Sequence, residues 1–222
     1  MRVAVVEFPG SNCDRDTVQV LRSELDLDAE LIWHNEFRQS SYDAVVLPGG
    51  FSFGDHLRAG IIAAHSPAMK TVMEMADRGK PVLGICNGFQ ILIETGLLPG
   101  ALLRNTTLKF VCKWMNLRVM SEETAFSCSL KKGATIRMPI AHNEGRYYAQ
   151  EETLDRLEAE HRVVMTYVSE NPTGTSRGIA AIANKDGNVV GMMPHPERSS
   201  QTILGGTDGL KVFESMVEWT SC

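Results

Sequence analysis

Short, nearly unbroken apolar runs alternate with segments whose apolar residues recur every three or four positions. "VAVVEF" predicts a first strand, closed by Pro9 and Gly10, and from Asp14 to about Leu27 the residues Val18, Leu21 and Leu25 fall at helical spacing. "AELIWH" and "YDAVVLPGG" predict a second and third strand. A helix is predicted over Pro67–Asp77, with Met69, Val72, Met73 and Ala76 on one face. "KPVLGI" follows as a strand, then a short helix bearing Phe89, Ile91, Leu92 and Ile93. Strands alternating with helices indicate βαβ units, so the fold class is α/β with a mostly parallel central sheet flanked by helices. Strands without polar alternation, such as "AVVLP" and "PVLGI", fit a sheet covered on both faces.

Past Leu97 the texture changes. "TLKFVCKWMNLRVM" and "GATIRMPIAH" predict strands of an antiparallel excursion, and Leu154 and Leu157 mark one face of a surface helix over Glu151–Glu160. "RVVMTYV", "GIAAIAN" and "GNVVGMMPH" predict further strands, with Asp186-Gly187 as a tight turn between the last two. Thr207 or Asp208 is placed to cap a final helix bearing Leu210, Phe213 and Val217. No repeat, low-complexity tract or linker interrupts the chain, so one domain over residues 1–222 is expected.

With 43% hydrophobic and 22% charged residues, the composition is globular, and the formal net charge of −5 without a Lys/Arg cluster excludes general nucleic-acid binding. No stretch is long enough to span a bilayer, and the N-terminal apolar run is too short for a signal peptide. The five cysteines, Cys13, Cys86, Cys112, Cys128 and Cys222, are odd in number and form no CxxC pair. That usage suits a reducing, cytoplasmic setting better than a disulfide framework, and no cysteine pair or His/Asp cluster has metal-ligand spacing.

Three segments concentrate candidate chemistry. In "LGICNGFQ", Cys86 falls where a strand meets a helix, with Gly84 and Gly88 two residues to either side. Such an elbow projects a side chain at the sheet's carboxyl edge and sets the unpaired N–H groups of a helix start beside it, which favours a thiolate. On this segment alone, a buried structural thiol is an equal reading. In "MMPHPERSS", Pro194 and Pro196 predict an extended segment that turns His195 and Glu197 to one side, an imidazole with an orienting carboxylate. In "LPGGFSFGDHLRAG", a glycine-rich loop follows a strand. No GxxxxGK[ST] occurs anywhere, so the loop has no support as a nucleotide-phosphate cradle and either sets a Gly50 N–H beside that of Asn87 as an oxyanion hole or is an ordinary glycine-rich turn. The remaining four cysteines have no base in comparable context and are expected to be structural or incidental, as Met69, Met73, Met192 and Met193 are expected to be core or sheet residues.

Taken together, "GICNGFQ", "PGGFSFGD" and "MPHPER" resemble the class I glutamine amidotransferase family, and the resemblance extends over essentially the whole chain. "GGFSFGDHLRAG", "IAHNEGRYY" and "NPTGT" are more similar to its branch of small glutamine-hydrolysing subunits of phosphoribosylformylglycinamidine synthase than to the glutaminases serving GMP, CTP, carbamoyl phosphate or anthranilate synthesis. The resemblance implies a flavodoxin-like fold with a nucleophile elbow and a triad of Cys86 as nucleophile, His195 as general acid and base, and Glu197 orienting it. It also implies Gln90 near the substrate L-glutamine and the backbone N–H groups of Gly50 and Asn87 as oxyanion hole. His142 and Glu144, in "AHNEG", are left outside the catalytic set as interface, pocket or plain turn residues. The resemblance implies no cofactor on this chain: ATP and Mg²⁺ belong to a large synthetase subunit, the partner that receives the ammonia, joined by a small bridging subunit. The competing readings are a stand-alone cysteine hydrolase and a non-catalytic subunit of the same fold.

Overall fold

The computed structural model describes residues 1–38 and 41–221, so Cys222 lies outside the described residues. In chain order the strands are β1 (Arg2–Glu7), β2 (Asp28–Trp33), β3 (Ala44–Leu47), β4 (Val82–Ile85), β5 (Ala101–Leu103), β6 (Val111–Val119), β7 (Thr135–His142), β8 (Arg146–Tyr148), β9 (Val163–Tyr167), β10 (Ile179–Ala183) and β11 (Val189–Met192). The helices are α1 (Asp14–Ser23), α2 (Ile61–Ala64), α3 (Pro67–Asp77), α4 (Asn87–Glu94), α5 (Glu151–Ala159) and α6 (Leu210–Ser221).

Nine of the strands form one sheet in the order β2-β1-β3-β4-β11-β10-β9-β6-β7, and β5 pairs with β8 separately. From β2 through β11 the neighbours are parallel; from β11 to β7 they are antiparallel. The predicted change of texture past Leu97 is this change of pairing. Strands β3, β4 and β11 are buried at every position, which explains their unbroken apolar character. The carboxyl ends of β1, β3, β4 and β11 lie along one edge, where ligands bind in open α/β sheets.

Several local expectations are corrected. Helix α1 stops at Ser23 rather than near Leu27, because Asp26 turns left-handed (φ +52°) and Leu27 N–H bonds back to the Leu21 carbonyl (3.0 Å). This is a helix-ending loop that returns Leu25 and Leu27 to the core. In α3 the buried stripe runs through Ala68, Met69, Val72, Met75 and Ala76, and Met73 stands at its edge, 40% exposed. Asp208 does not serve as the expected cap: its carboxylate accepts the Arg137 N–H (2.8 Å) and so covers the edge strand β7. The β10–β11 hairpin is formed as predicted, with Gly187 at φ +74° directly after Asp186. Among the described residues no helix is long and apolar enough to cross a membrane.

Candidate active site

Strand β4 ends at Ile85, α4 begins at Asn87, and Cys86 makes the turn between them at φ +49°, ψ −100°. A non-glycine residue there carries strain of order 1–3 kcal/mol and persists only where its surroundings over-determine it. They do so here. Cys86 N–H donates to the Met192 carbonyl (2.7 Å), and the Cys86 carbonyl accepts from Gln90 N–H (3.2 Å). A Cβ on Gly88 would stand 2.0 Å from the Leu47 carbonyl oxygen, and one on Gly84 would stand 2.6 Å from the Gly88 backbone. The two glycines flanking Cys86 therefore let α4 lie directly on β3 and β4, which is what the elbow requires.

His195 follows β11 and is held by its own N–H on the Pro139 carbonyl (2.8 Å). Its Nδ1 meets Glu197 Oε1 at 2.6 Å, with both residues buried. The predicted partnership is present, but its local geometry is not the extended one expected. Pro196–Ser199 form a 3-10 turn, with proline at its first position where no N–H is needed, and the turn brings Glu197 back to the ring. His195 Nε2 and Glu197 Oε2 make no hydrogen bond among the described residues. Burial disfavours the imidazolium, but the charges of Glu197 and Cys86, with hydrogen bonding from the ring to the sulfurs of Cys13 and Cys86, outweigh it and hold His195 well above the ordinary histidine range.

Of the two readings left for Cys13, structural or incidental, the structure supports the first, and it corrects the expectation that no base stands near this thiol. It sits beyond the carboxyl end of β1, 1% exposed, with Sγ 3.8 Å from His195 Nδ1. Arg198 donates to that sulfur (3.1 Å), and the thiol donates to Asn12 Oδ1 (3.2 Å). Cys13, His195 and Glu197 thus form a buried cluster with donor atoms within 4.8 Å of one another. The donor set suits a soft divalent metal, but Nδ1 is spent on Glu197 and a guanidinium occupies the sulfur, so no metal is assigned. The usable signal for Cys13 is its place after a predicted parallel strand, not any base nearby in sequence. Cys112 is exposed, and Cys128 donates to the Ser215 carbonyl (3.1 Å).

Cys86, Cys13, Gly50 and His195 line one pocket of about 80 Å³, together with Phe51, Phe110, Asn12, Ala141 and Arg198. The Ser11–Gly50 bridge is made by their neighbours: Phe51 N–H bonds Gly10 O (2.9 Å) and Asn12 N–H bonds Gly49 O (3.2 Å). In that pattern the bridged residues turn their own N–H groups away from each other, so the Gly50 N–H is not consumed. Asn87 is the first residue of α4, and its N–H has no partner within the helix. Gln90 stands one turn along α4, outside the pocket lining. Its amide accepts from Asn87 Nδ2 (2.9 Å) and donates to the Glu144 carbonyl (2.6 Å). The Glu144 carboxylate pairs with Arg104 (3.2 Å).

His142 is buried with Nδ1 on Asn105 Oδ1 (3.2 Å), and burial, with His195 second, pushes its pKa down to about 3. The unfolded chain takes up this proton near pH 6.5 while the folded one refuses it until about pH 3, so stability is complete above pH 6.5 and falls as pH drops below it. The slope from this residue should be roughly 1.4 kcal/mol per pH unit. Asp55, pushed up to about 6 by burial and then Glu144, contributes in the opposite sense, so the wild type alone does not isolate the effect. Chemical denaturation of wild type and His142→Gln should give curves that converge on acidification below pH 6.5; parallel curves would reject the assignment.

Residues 1–220 match the model of the CobB/CobQ-like glutamine amidotransferase domain. Among solved structures, the chain resembles the PurLQS structure from Thermotoga maritima at 43% identity, covering 98% of both chains with a TM-score of 0.90. A glutamine amidotransferase from Thermotoga maritima matches at 18% identity over 100% of this chain and 85% of its own, TM-score 0.59. The glutaminase domain of Trypanosoma brucei CTPS with bound acivicin matches at 12% identity over 98% and 94%, TM-score 0.63. The last two speak to the fold alone.

Proposed function

The chain belongs to the CobB/CobQ-like glutamine amidotransferase family and is a glutaminase-type enzyme domain homologous to the PurQ component of the PurLQS complex; on that premise we propose that it is the glutaminase subunit of a phosphoribosylformylglycinamidine synthase. In this reading residues 1–222 act as one domain in the cytoplasm. They release ammonia from L-glutamine for a PurL-like synthetase subunit joined by a PurS-like one, and that partner uses ATP and Mg²⁺ to convert formylglycinamide ribonucleotide to formylglycinamidine ribonucleotide.

One observation carries the chemistry: Cys86, on its strained turn, shares a small pocket with His195, whose Nε2 is left free by Glu197. Cys13 faces the opposite nitrogen, already bonded to the carboxylate, and is the poorer nucleophile for that reason. With the proton already on His195 Nε2, Cys86 Sγ bonds to the side-chain carboxamide carbon of glutamine as the carbonyl π pair moves onto the oxygen. The oxyanion is received by the N–H groups of Gly50 and Asn87, each worth about 3 kcal/mol. Nε2 then gives its proton to the amide nitrogen, the C–N bond breaks, and ammonia leaves a glutamyl thioester. Water gives a proton to Nε2 and attacks the thioester carbon; glutamate departs, and the sulfur and the protonated imidazole are as they began. Gln90, one turn along α4 from Cys86, keeps the Glu144 segment in place.

The assignment is tested with the intact chain, the synthetase and bridging subunits, ATP and formylglycinamide ribonucleotide. Glutamine should support amination only when this chain is present, whereas ammonia should support it without the chain. A synthetase that uses ammonia but never glutamine would overturn the purine assignment. Full glutamine turnover by the free chain would favour a stand-alone hydrolase.

A further inference from the structure

Arg198 ends the "MPHPER" segment, and the catalytic scheme makes no use of it. It runs between two spaces: it lines the pocket that holds Cys86 and also an outer cavity of about 480 Å³ behind Glu197, shared with Asp16 and Trp114. Its Nη2 donates to Cys13 Sγ (3.1 Å), and its Nε stands 3.6 Å from Asp16 Oδ2 and 3.9 Å from Glu197 Oε1. Cys13 in turn lies against the imidazole, and both pack on Gly49: a Cβ there would be 2.8 Å from His195 Cε1 and 3.1 Å from the sulfur.

We propose that Arg198 is a positioning residue which, anchored on Cys13 and Asp16, takes a limited share of the Glu197 charge and so sets how firmly His195 is held. The anchors matter because Glu197 has more to offer. Its Oε2 is buried and accepts no hydrogen bond among the described residues, so Glu197 keeps an acceptor for a guanidinium released from its anchors. A guanidinium that bonded Glu197 fully would draw the carboxylate from His195 Nδ1. At 3.9 Å it shares the charge without taking it. The groups facing His195 are Glu197 on its own turn, Cys13 before α1, Cys86 at the elbow and neutral His142 at the end of β7, with Arg198 behind Cys13 and Glu197.

The inference rests on His195 as the acid and base of the reaction, but its test does not need turnover. NMR titration of the isotope-labelled His195 imidazole in the full chain reads the hold directly, and the alkaline limb of kcat/KM for glutamine in the complex reads it functionally. Arg198→Met leaves Glu197 wholly to His195 and should move the midpoint up. Cys13→Ala releases Arg198 onto Glu197 and also removes the sulfur beside Nδ1, so it should move the midpoint down, each of the two shifts being roughly half to one unit. The double variant Cys13→Ala/Arg198→Met should recover part of that fall if Arg198 carries it. Cys13→Ser, which keeps an acceptor for Arg198, should stay near wild type. Asp16→Asn, which loosens the other anchor, should also move the midpoint down and supplies that arm if Cys13→Ala does not fold.

Shifts of opposite sign are not the result of general loosening of the site. Midpoints that stay fixed, or that move together in Arg198→Met and the anchor variants, would overturn the proposal. Correct shifts in a chain that never supports glutamine use would uphold the clamp and remove the glutaminase assignment instead.

Discussion

Replacing Cys86 by alanine is expected to reduce glutamine-dependent amination by about 10⁴-fold or more, while ammonia-dependent amination in the same complex stays within about twofold of wild type. The asymmetry follows from where Cys86 stands. It makes the bond to substrate, so nothing else in the pocket substitutes for it, yet the synthetase needs only ammonia. Alanine keeps the Cβ and hence the left-handed strain at φ +49°, so the turn and its bonds to Met192 and Gln90 should survive. Unchanged thermal unfolding of the variant would establish that point. The informative comparison is Cys13→Ala, because two buried thiols flank one imidazole. If Cys86 is the nucleophile, a glutamine-derived electrophile should label the wild type and Cys13→Ala but not Cys86→Ala. Labelling that disappears in Cys13→Ala and persists in Cys86→Ala would reverse the roles of the two sulfurs.

What the sequence discloses about this site depends on how local each contact is. The elbow is legible because its cause is local: the two glycines around Cys86 mark places where α4 touches Leu47 and β4 backbone to backbone. The His195–Glu197 pair is legible because the partners are two residues apart, although the 3-10 turn that joins them is not, since "PHPE" suits extended chain as well as a turn. Cys13 and Arg198 are 185 positions apart and meet only because β1 and β11 place their carboxyl ends on one edge of the sheet. No periodicity encodes that meeting. The fold divides the same way. Apolar runs identify β3, β4 and β11, but the order in which they pair is set by crossover connections that a single sequence does not reveal. Where periodicity overruns a helix end, as at Ser23, the competing signal is a left-handed aspartate that could as well have continued the helix.

Glu197→Gln should cost about 10⁴-fold in glutamine-dependent kcat, the order expected when an imidazole loses the carboxylate that fixes its tautomer. Glu197 is wholly buried, and its Oε1 holds Nδ1 at 2.6 Å, which leaves Nε2 toward Cys86. A glutamine amide carries no charge to hold the imidazolium and can present a donor to Nδ1, so the ring no longer keeps the Nε2 proton that the leaving ammonia needs. The same substitution has a stability signature with a definite sign. His195 is raised in the folded protein, so its protonation adds stability that is complete below about pH 6.5 and disappears as pH climbs through the folded value. Glu197→Gln removes the main source of that elevation. The wild type should therefore exceed the variant most at pH 5 to 6, and the gap should close as pH rises through the His195 midpoint. A gap that widened with pH would mean that His195 is neutral in the folded protein and that Glu197 orients it without holding its charge.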